Sequence, residues 1–190
     1  MYTNSCKVFW DQVKSSQFDQ KCFKVFNLWK KYCSSVVDFP SDFNKSLPQP
    51  RKPNIPEFFT QFIIAKILYF HFKWEVYLPP KGADMYLIDG ILKKKVELKA
   101  FSSDGPSTIT PVKNWNTIDQ FLVGDFRKFG EDFVTLYEVD WPKFQAEDKS
   151  AIKALLAKSD RRIHVNFQKA IKEKKSWIKL LWKGNFKKDL

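Results

Sequence analysis

The sequence predicts an α/β fold, a mixed β-sheet flanked by α-helices, and three observations predict it. An alternating, β-rich stretch from Met85 to Leu98 doubles back on itself around Asp89-Gly90-Ile91. A second run, Phe133 to Val139 (Phe-Val-Thr-Leu-Tyr-Glu-Val), is rich in β-formers. Around these strands, apolar residues recur at helical spacing over residues 5–33, 56–72 and 146–158.

Taken in order, residues 1–37 form an N-terminal helical region. Val8, Phe9, Val13, Cys22, Val25, Phe26, Trp29, Tyr32 and Cys33 supply its apolar positions, and Ser15-Ser16 marks a break. Residues 38–56 hold Pro40, Pro48, Pro50, Pro53 and Pro56, so they form an extended loop. Pro56 suits the first position of the next helix. That helix reaches Phe72 and is apolar nearly all round, which predicts deep burial. Glu57 is its odd member: an acid in the first turn favours the helix dipole, or it serves a site. Trp74 to Leu78 is a short strand stopped by Pro79-Pro80.

The hairpin organises the rest. Either Asp89-Gly90 or Gly90-Ile91 makes its two-residue turn, which sets Asp84 opposite Lys95 or opposite Glu97. Facing residues share a side of the sheet, as do residues two apart on one strand. Under either turn Asp84, Glu97 and Lys99 point the same way. Two neighbouring carboxylates disfavour each other's charge, so a cation belongs between them. Mg2+ suits such oxygen ligands, using one or two carboxylates together with phosphate. Lys99 then orients a water or helps deprotonate it. The other reading is a solvated hairpin face with a cross-strand ion pair.

After the hairpin, the loop from Ser102 to Pro111 presents Ser102, Ser103, Ser107 and Thr108, with Lys113 just beyond. Hydroxyls, ammonium groups and exposed N–H groups are good phosphate contacts, although an ordinary polar loop has the same composition. Trp115 to Val123 leads into a further strand. Residues 146–158 form a helix with Ile152, Leu155 and Leu156 on its buried side, and Arg161 to Phe167 is a strand or loop. Residues 168–190 read as a lysine-rich helix and a basic tail. Arg161 and Arg162 suit bidentate contacts to phosphate or guanine, or form a surface charge pair.

Asp84, twelve residues, then Glu97-Leu98-Lys99 on a hairpin resembles the PD-(D/E)xK nuclease superfamily. Three other acidic-x-Lys tripeptides, beginning at Asp19, Glu147 and Glu173, lie in polar helix-like surroundings with no upstream acidic strand. The segment Lys99 to Pro111 looks like the loop that follows this motif in small type II restriction endonucleases. The resemblance covers about 55–167, the expected catalytic core, and departs from the motif at Ala83, where the family's proline would stand. It implies a restriction-endonuclease-like sheet and Mg2+-dependent, site-specific hydrolysis of double-stranded DNA, leaving 5′-phosphate and 3′-hydroxyl ends. It also implies that Asp84, Glu97 and the backbone carbonyl of Leu98 bind the metal, with Glu57 as a third acid. Lys99 positions the water, and an Arg161-Arg162 element meets DNA. A palindromic site is most simply cut by a homodimer, and such enzymes are paired with a cognate DNA methyltransferase. A junction resolvase or repair nuclease of the same superfamily is the alternative, and a non-enzymatic DNA-binding module the next.

Composition agrees with a nucleic-acid partner. A chain of 190 residues favours a single domain, and 44% hydrophobic residues exclude general disorder. The net charge of +12 points to a polyanion, whether nucleic acid or an anionic membrane surface, or else serves solubility. The charge is spread over 51–52, 93–95, 161–162, 172–175 and 183–188, which suits a face better than a tail. Three cysteines without a CxxC pair, no signal-peptide pattern and no membrane-length apolar run predict a reduced, cytoplasmic protein.

Overall fold

The computed structural model describes Gln20, Lys24, residues 27–29, Lys31 and residues 57–77, 84–89, 92–102, 107–109, 118–147 and 163–189. The first continuous element is helix α1, Glu57–Phe72. Phe59, Phe62, Ile63, Ile64, Ala65, Ile67 and Leu68 are all buried, as its all-round apolar sequence predicts. Lys66 is buried with them, its ammonium 5.9 Å from the Phe62 ring and 5.5 Å from the Phe70 ring. The helix stops at Lys73, which takes a left-handed φ of 58° and returns its N–H to the Tyr69 carbonyl at 3.0 Å.

A six-stranded mixed sheet follows, made of β1 (Glu75–Tyr77), β2 (Met85–Asp89), β3 (Leu92–Phe101), β5 (Gln120–Asp125), β6 (Phe133–Val139) and β8 (Ile178–Asn185), in that spatial order. The fold is therefore α/β. β1, β2 and β3 form an antiparallel meander, β3 and β5 run parallel, and β5, β6 and β8 are antiparallel again. The parallel step requires a crossover. Within it lies β4 (Ser107–Ile109), which pairs with β7 (Ile163–Val165) as a separate two-stranded sheet.

Strand alternation sorts the core into two layers. Met85, Leu87, Val96, Leu98, Leu122, Val134, Leu136 and Trp182 face α1. Phe101, Phe121, Val123 and Val139 face the other way. There they meet Phe144 of helix α2 (Trp141–Glu147), Phe167 and Ala170 of the short helix α3 (Phe167–Lys172), Val165 of β7, and Trp177. The small β4–β7 sheet thus packs on the face opposite α1.

Two segments depart from the sequence-based expectation. Residues 178–185 are a sheet strand, where a helix and basic tail were expected after residue 168; only 167–172 is helical. The consecutive apolar residues Leu180-Leu181-Trp182 hide the strand's period, because a register shift opposite Leu136 and Tyr137 breaks the alternation there. Residues 141–147 form a helix that the helical pattern at 146–158 did not reach, and residues 148–158 lie outside the described residues. Among the described residues no helix is long and apolar enough to cross a membrane.

Candidate active site

Register decides how the acids meet. Asp89 pairs with Leu92 and Met85 with Val96. This register sets Asp84, just before β2, opposite Glu97, one of the two alternatives open in the sequence. Met85, Leu87, Val96 and Leu98 are buried against α1. Asp84, Glu97 and Lys99, of opposite parity, therefore share the other face, with Phe101 farther along β3.

The three side chains touch. The Lys99 ammonium is 2.6 Å from Glu97 Oε1 and 3.8 Å from Asp84 Oδ2. The side chains of Lys99, Asp84 and Glu97 are 23%, 23% and 14% exposed, so the group is reachable but partly desolvated. Partial burial strengthens the attraction beyond that of a surface pair, while each charge still needs its partner. Asp84 is also fixed by the backbone: its Oδ2 accepts the Leu98 N–H at 2.8 Å. Lys95 donates its N–H to Asp119 Oδ2, on the β5 side of β3. Backbone groups alternate sides along a strand, so the N–H and carbonyl of Leu98 both turn toward the β2 side, where Asp84 sits.

This arrangement fits a hard divalent ion. Among the described residues no three or more His, Cys, Asp and Glu side chains gather. An ion here would rest on Asp84, Glu97 and the Leu98 carbonyl, and its remaining positions would fall to water and phosphate, a usual Mg2+ arrangement. Glu57 opens α1, the helix on the opposite face of the sheet, and its side chain lies outside the described residues.

The expected DNA contacts divide. Ser102 follows β3 directly and is half-buried. Ser107 and Thr108 lie on β4, where Ser107 pairs with Val165 and Thr108 with His164. The loop after the motif and the segment following Arg161-Arg162 are thus hydrogen-bonded to one another, a long-range pairing that the sequence did not announce. Ser103, Lys113, Arg161 and Arg162 lie outside the described residues.

A feature not singled out in the sequence stands at the far end of β5. Arg127 grips Asp125 with two nitrogens, Nε at 3.0 Å and Nη2 at 2.8 Å, and its guanidinium lies 5.4 Å from the Phe101 ring. An open cleft of about 730 Å³ adjoins it, lined by Tyr137, Thr135, Lys128, Leu180 and Lys183 among others. The Tyr137 phenol is pushed up from its ordinary value by burial and by the Asp125 charge, against the opposing pull of Arg127. The only hint in sequence is Asp125-x-Arg127 at the end of an apolar strand.

Compared with family models, with curated proteins and with solved structures, the chain matches none.

Proposed function

We propose that the protein is a Mg2+-dependent endonuclease that hydrolyses double-stranded DNA at a specific short sequence, in the manner of a type II restriction endonuclease. The observation that carries this reading is the meeting of Asp84, Glu97 and Lys99 on one sheet face, with the ammonium between two partly buried carboxylates. The meander entered from α1 and followed by a parallel β5 supports it, as does the net charge of +12.

Mg2+, when bound, would supply positive charge to the scissile phosphate and acidify the attacking water. Asp84 and Glu97 would hold the ion, and the Leu98 N–H keeps Asp84 in place before substrate arrives, so little reorganisation is left for the reaction. Lys99 orients the water and places its ammonium against the charge that builds on the phosphate. The water oxygen forms a bond to phosphorus as the P–O3′ bond breaks. The 3′ oxygen takes up a proton, and the products are a 5′-phosphate and a 3′-hydroxyl. Cutting both strands of a palindrome with one such site per chain calls for two copies related by a two-fold axis. A methyltransferase that protects the same sequence is the expected companion.

The test is digestion of phage and plasmid DNA with and without Mg2+, with Glu97→Ala beside the wild type. Discrete Mg2+-dependent fragments that vanish in the variant are expected. A smear lost in the variant replaces site-specificity with a structure-specific or non-specific nuclease. Salt-sensitive DNA binding without cleavage by either protein leaves only a binding module.

A further inference from the structure

The face that carries Asp84, Glu97 and Lys99 continues along β3 toward the hairpin tip. Parity puts Lys95 and Lys93 on it, while Lys94 belongs to the opposite face with Val96 and Leu98. Tyr86 stands opposite Lys95, and Tyr77 of β1 stands opposite Tyr86, so both rings share the lysine face. The rings lie 5.8 Å apart, and the Lys93 ammonium is 4.1 Å from the Tyr86 centroid and 5.2 Å from that of Tyr77. The opposite half of this sheet face is packed: the cluster with α2, α3 and β7 takes Phe101 of β3 and residues of β5 and β6. Among the described residues it takes nothing from β1 or β2, nor from β3 before Phe101. Lys93 is exposed, and Lys95, Tyr77 and Tyr86 are half-buried.

We infer that Lys93 and Lys95, with Lys93 set by Tyr77 and Tyr86, form a phosphate-binding track that holds the DNA backbone flanking the site of cleavage. This rests on the nuclease reading for the position of the scissile phosphate. Residues two apart on a strand are separated by about 6.8 Å, so Lys93 lies about 20 Å from Lys99. That length spans roughly six base pairs of duplex, which carries the contacts well past the reacting phosphate. A lysine ordinarily loses side-chain freedom when it grips a phosphate. Contact with two ring faces limits that freedom beforehand and leaves the charge at the surface. The aromatic pair therefore prepares a cation that would otherwise sweep freely at a hairpin tip.

Lys94 provides the control: same strand, same charge, opposite face. The experiment measures binding of a labelled duplex by anisotropy in metal-free buffer across a salt series, with thermal unfolding of every variant alongside. Each phosphate contact removed lowers the slope of log K against log salt by about 0.9. Lys93→Ala should lower the slope by about one contact, and Lys93→Ala/Lys95→Ala by about two, weakening binding on the order of tenfold or more at moderate salt. Lys94→Ala should leave the slope nearly unchanged. Lys95→Arg keeps charge and stem and should retain the wild-type slope, which guards against a fold defect in the double variant. Equal slope losses for Lys93→Ala and Lys94→Ala overturn the track, as does an unchanged slope in the double variant or a wild type that does not bind duplex. Mg2+-dependent cleavage by Glu97→Ala defeats the nuclease reading separately, because the salt slopes are measured without metal or turnover.

Discussion

The Asp84 carboxylate accepts the backbone N–H of Leu98 at 2.8 Å, so the acid upstream of the hairpin is anchored to the strand that carries Glu97 and Lys99. One side chain thus has a structural and a proposed catalytic task, and two substitutions separate them. Asp84→Asn keeps an oxygen for the Leu98 N–H but loses the charge that would hold a metal. It should unfold close to wild type in urea and lose cleavage on the order of 100-fold or more. Asp84→Ala should lose the same activity and about 1 kcal/mol of stability, because the Leu98 N–H is left without its acceptor. Cleavage retained by Asp84→Asn would remove Asp84 from the metal site.

Lys99 neutralises a pair of carboxylates, and that can be read without any turnover. In Lys99→Met the ammonium 2.6 Å from Glu97 and 3.8 Å from Asp84 is gone. The two carboxylates then repel each other, and a divalent ion offers the compensation that the ammonium gave. The variant should melt lower than wild type in metal-free buffer and gain more from added Ca2+. A bound ion at 100 times its Kd contributes about 2.7 kcal/mol. An equal Ca2+ response in wild type and variant would place the ion's binding elsewhere.

Much of this arrangement was legible in the sequence because it depends on parity, which survives small errors in strand limits. Asp84, Glu97 and Lys99 share a face under either turn, and the structure selects the register that sets Asp84 opposite Glu97. Phe133–Val139 was legible from its run of β-formers, and the buried helix from residue 57 from an apolar run opened by Pro56. β8 was not, because its consecutive Leu180, Leu181 and Trp182 are accommodated by a register shift rather than by alternation, and the lysines around them resemble a tail. Nor was the pairing of Thr108 with His164, since short strands far apart in the chain carry no local sign of each other. Arg127 was missed because Asp125-x-Arg127 is an ordinary local pair, and Phe101 reaches it only through the parallel β3–β5 register.

Tyr137 gives an alkaline signature. Burial, then the Asp125 charge, raises its pKa above the ordinary 10.0, with Arg127 opposing. In the unfolded chain the phenol ionises first, so the folded state holds more protons above that point. The contribution is fully present below pH 10 and is lost as pH climbs through the folded-state value. Tyr137→Phe removes this slope. Urea midpoints of the two proteins should run parallel from pH 7 to 9, and the wild type should fall more steeply beyond. Parallel curves throughout would mean that Tyr137 titrates alike in both states.

Gly124 sets how closely α1 approaches the sheet. A Cβ there would stand 2.5 Å from Phe126 Cε2 and 3.0 Å from Ile64 Cδ1, so β5 and α1 meet with no room for a methyl group. Phe126 and Ile64 are themselves buried, which leaves neither ring nor helix an easy retreat. Gly124→Ala should therefore cost about 1–3 kcal/mol by overpacking. Gly130, exposed in the short turn after β5, has nothing within 4 Å of its would-be Cβ, and Gly130→Ala should change stability by less than about 0.5 kcal/mol. Comparing urea midpoints of the two variants checks the packing directly. The displaced strand is β5, whose Val123 pairs with Lys99. Gly124→Ala should therefore also lower cleavage at temperatures where the variant is still folded, while Gly130→Ala should not. Equal midpoints for the two alanine variants would mean that α1 shifts freely over β5, and the close approach would then count for nothing in stability.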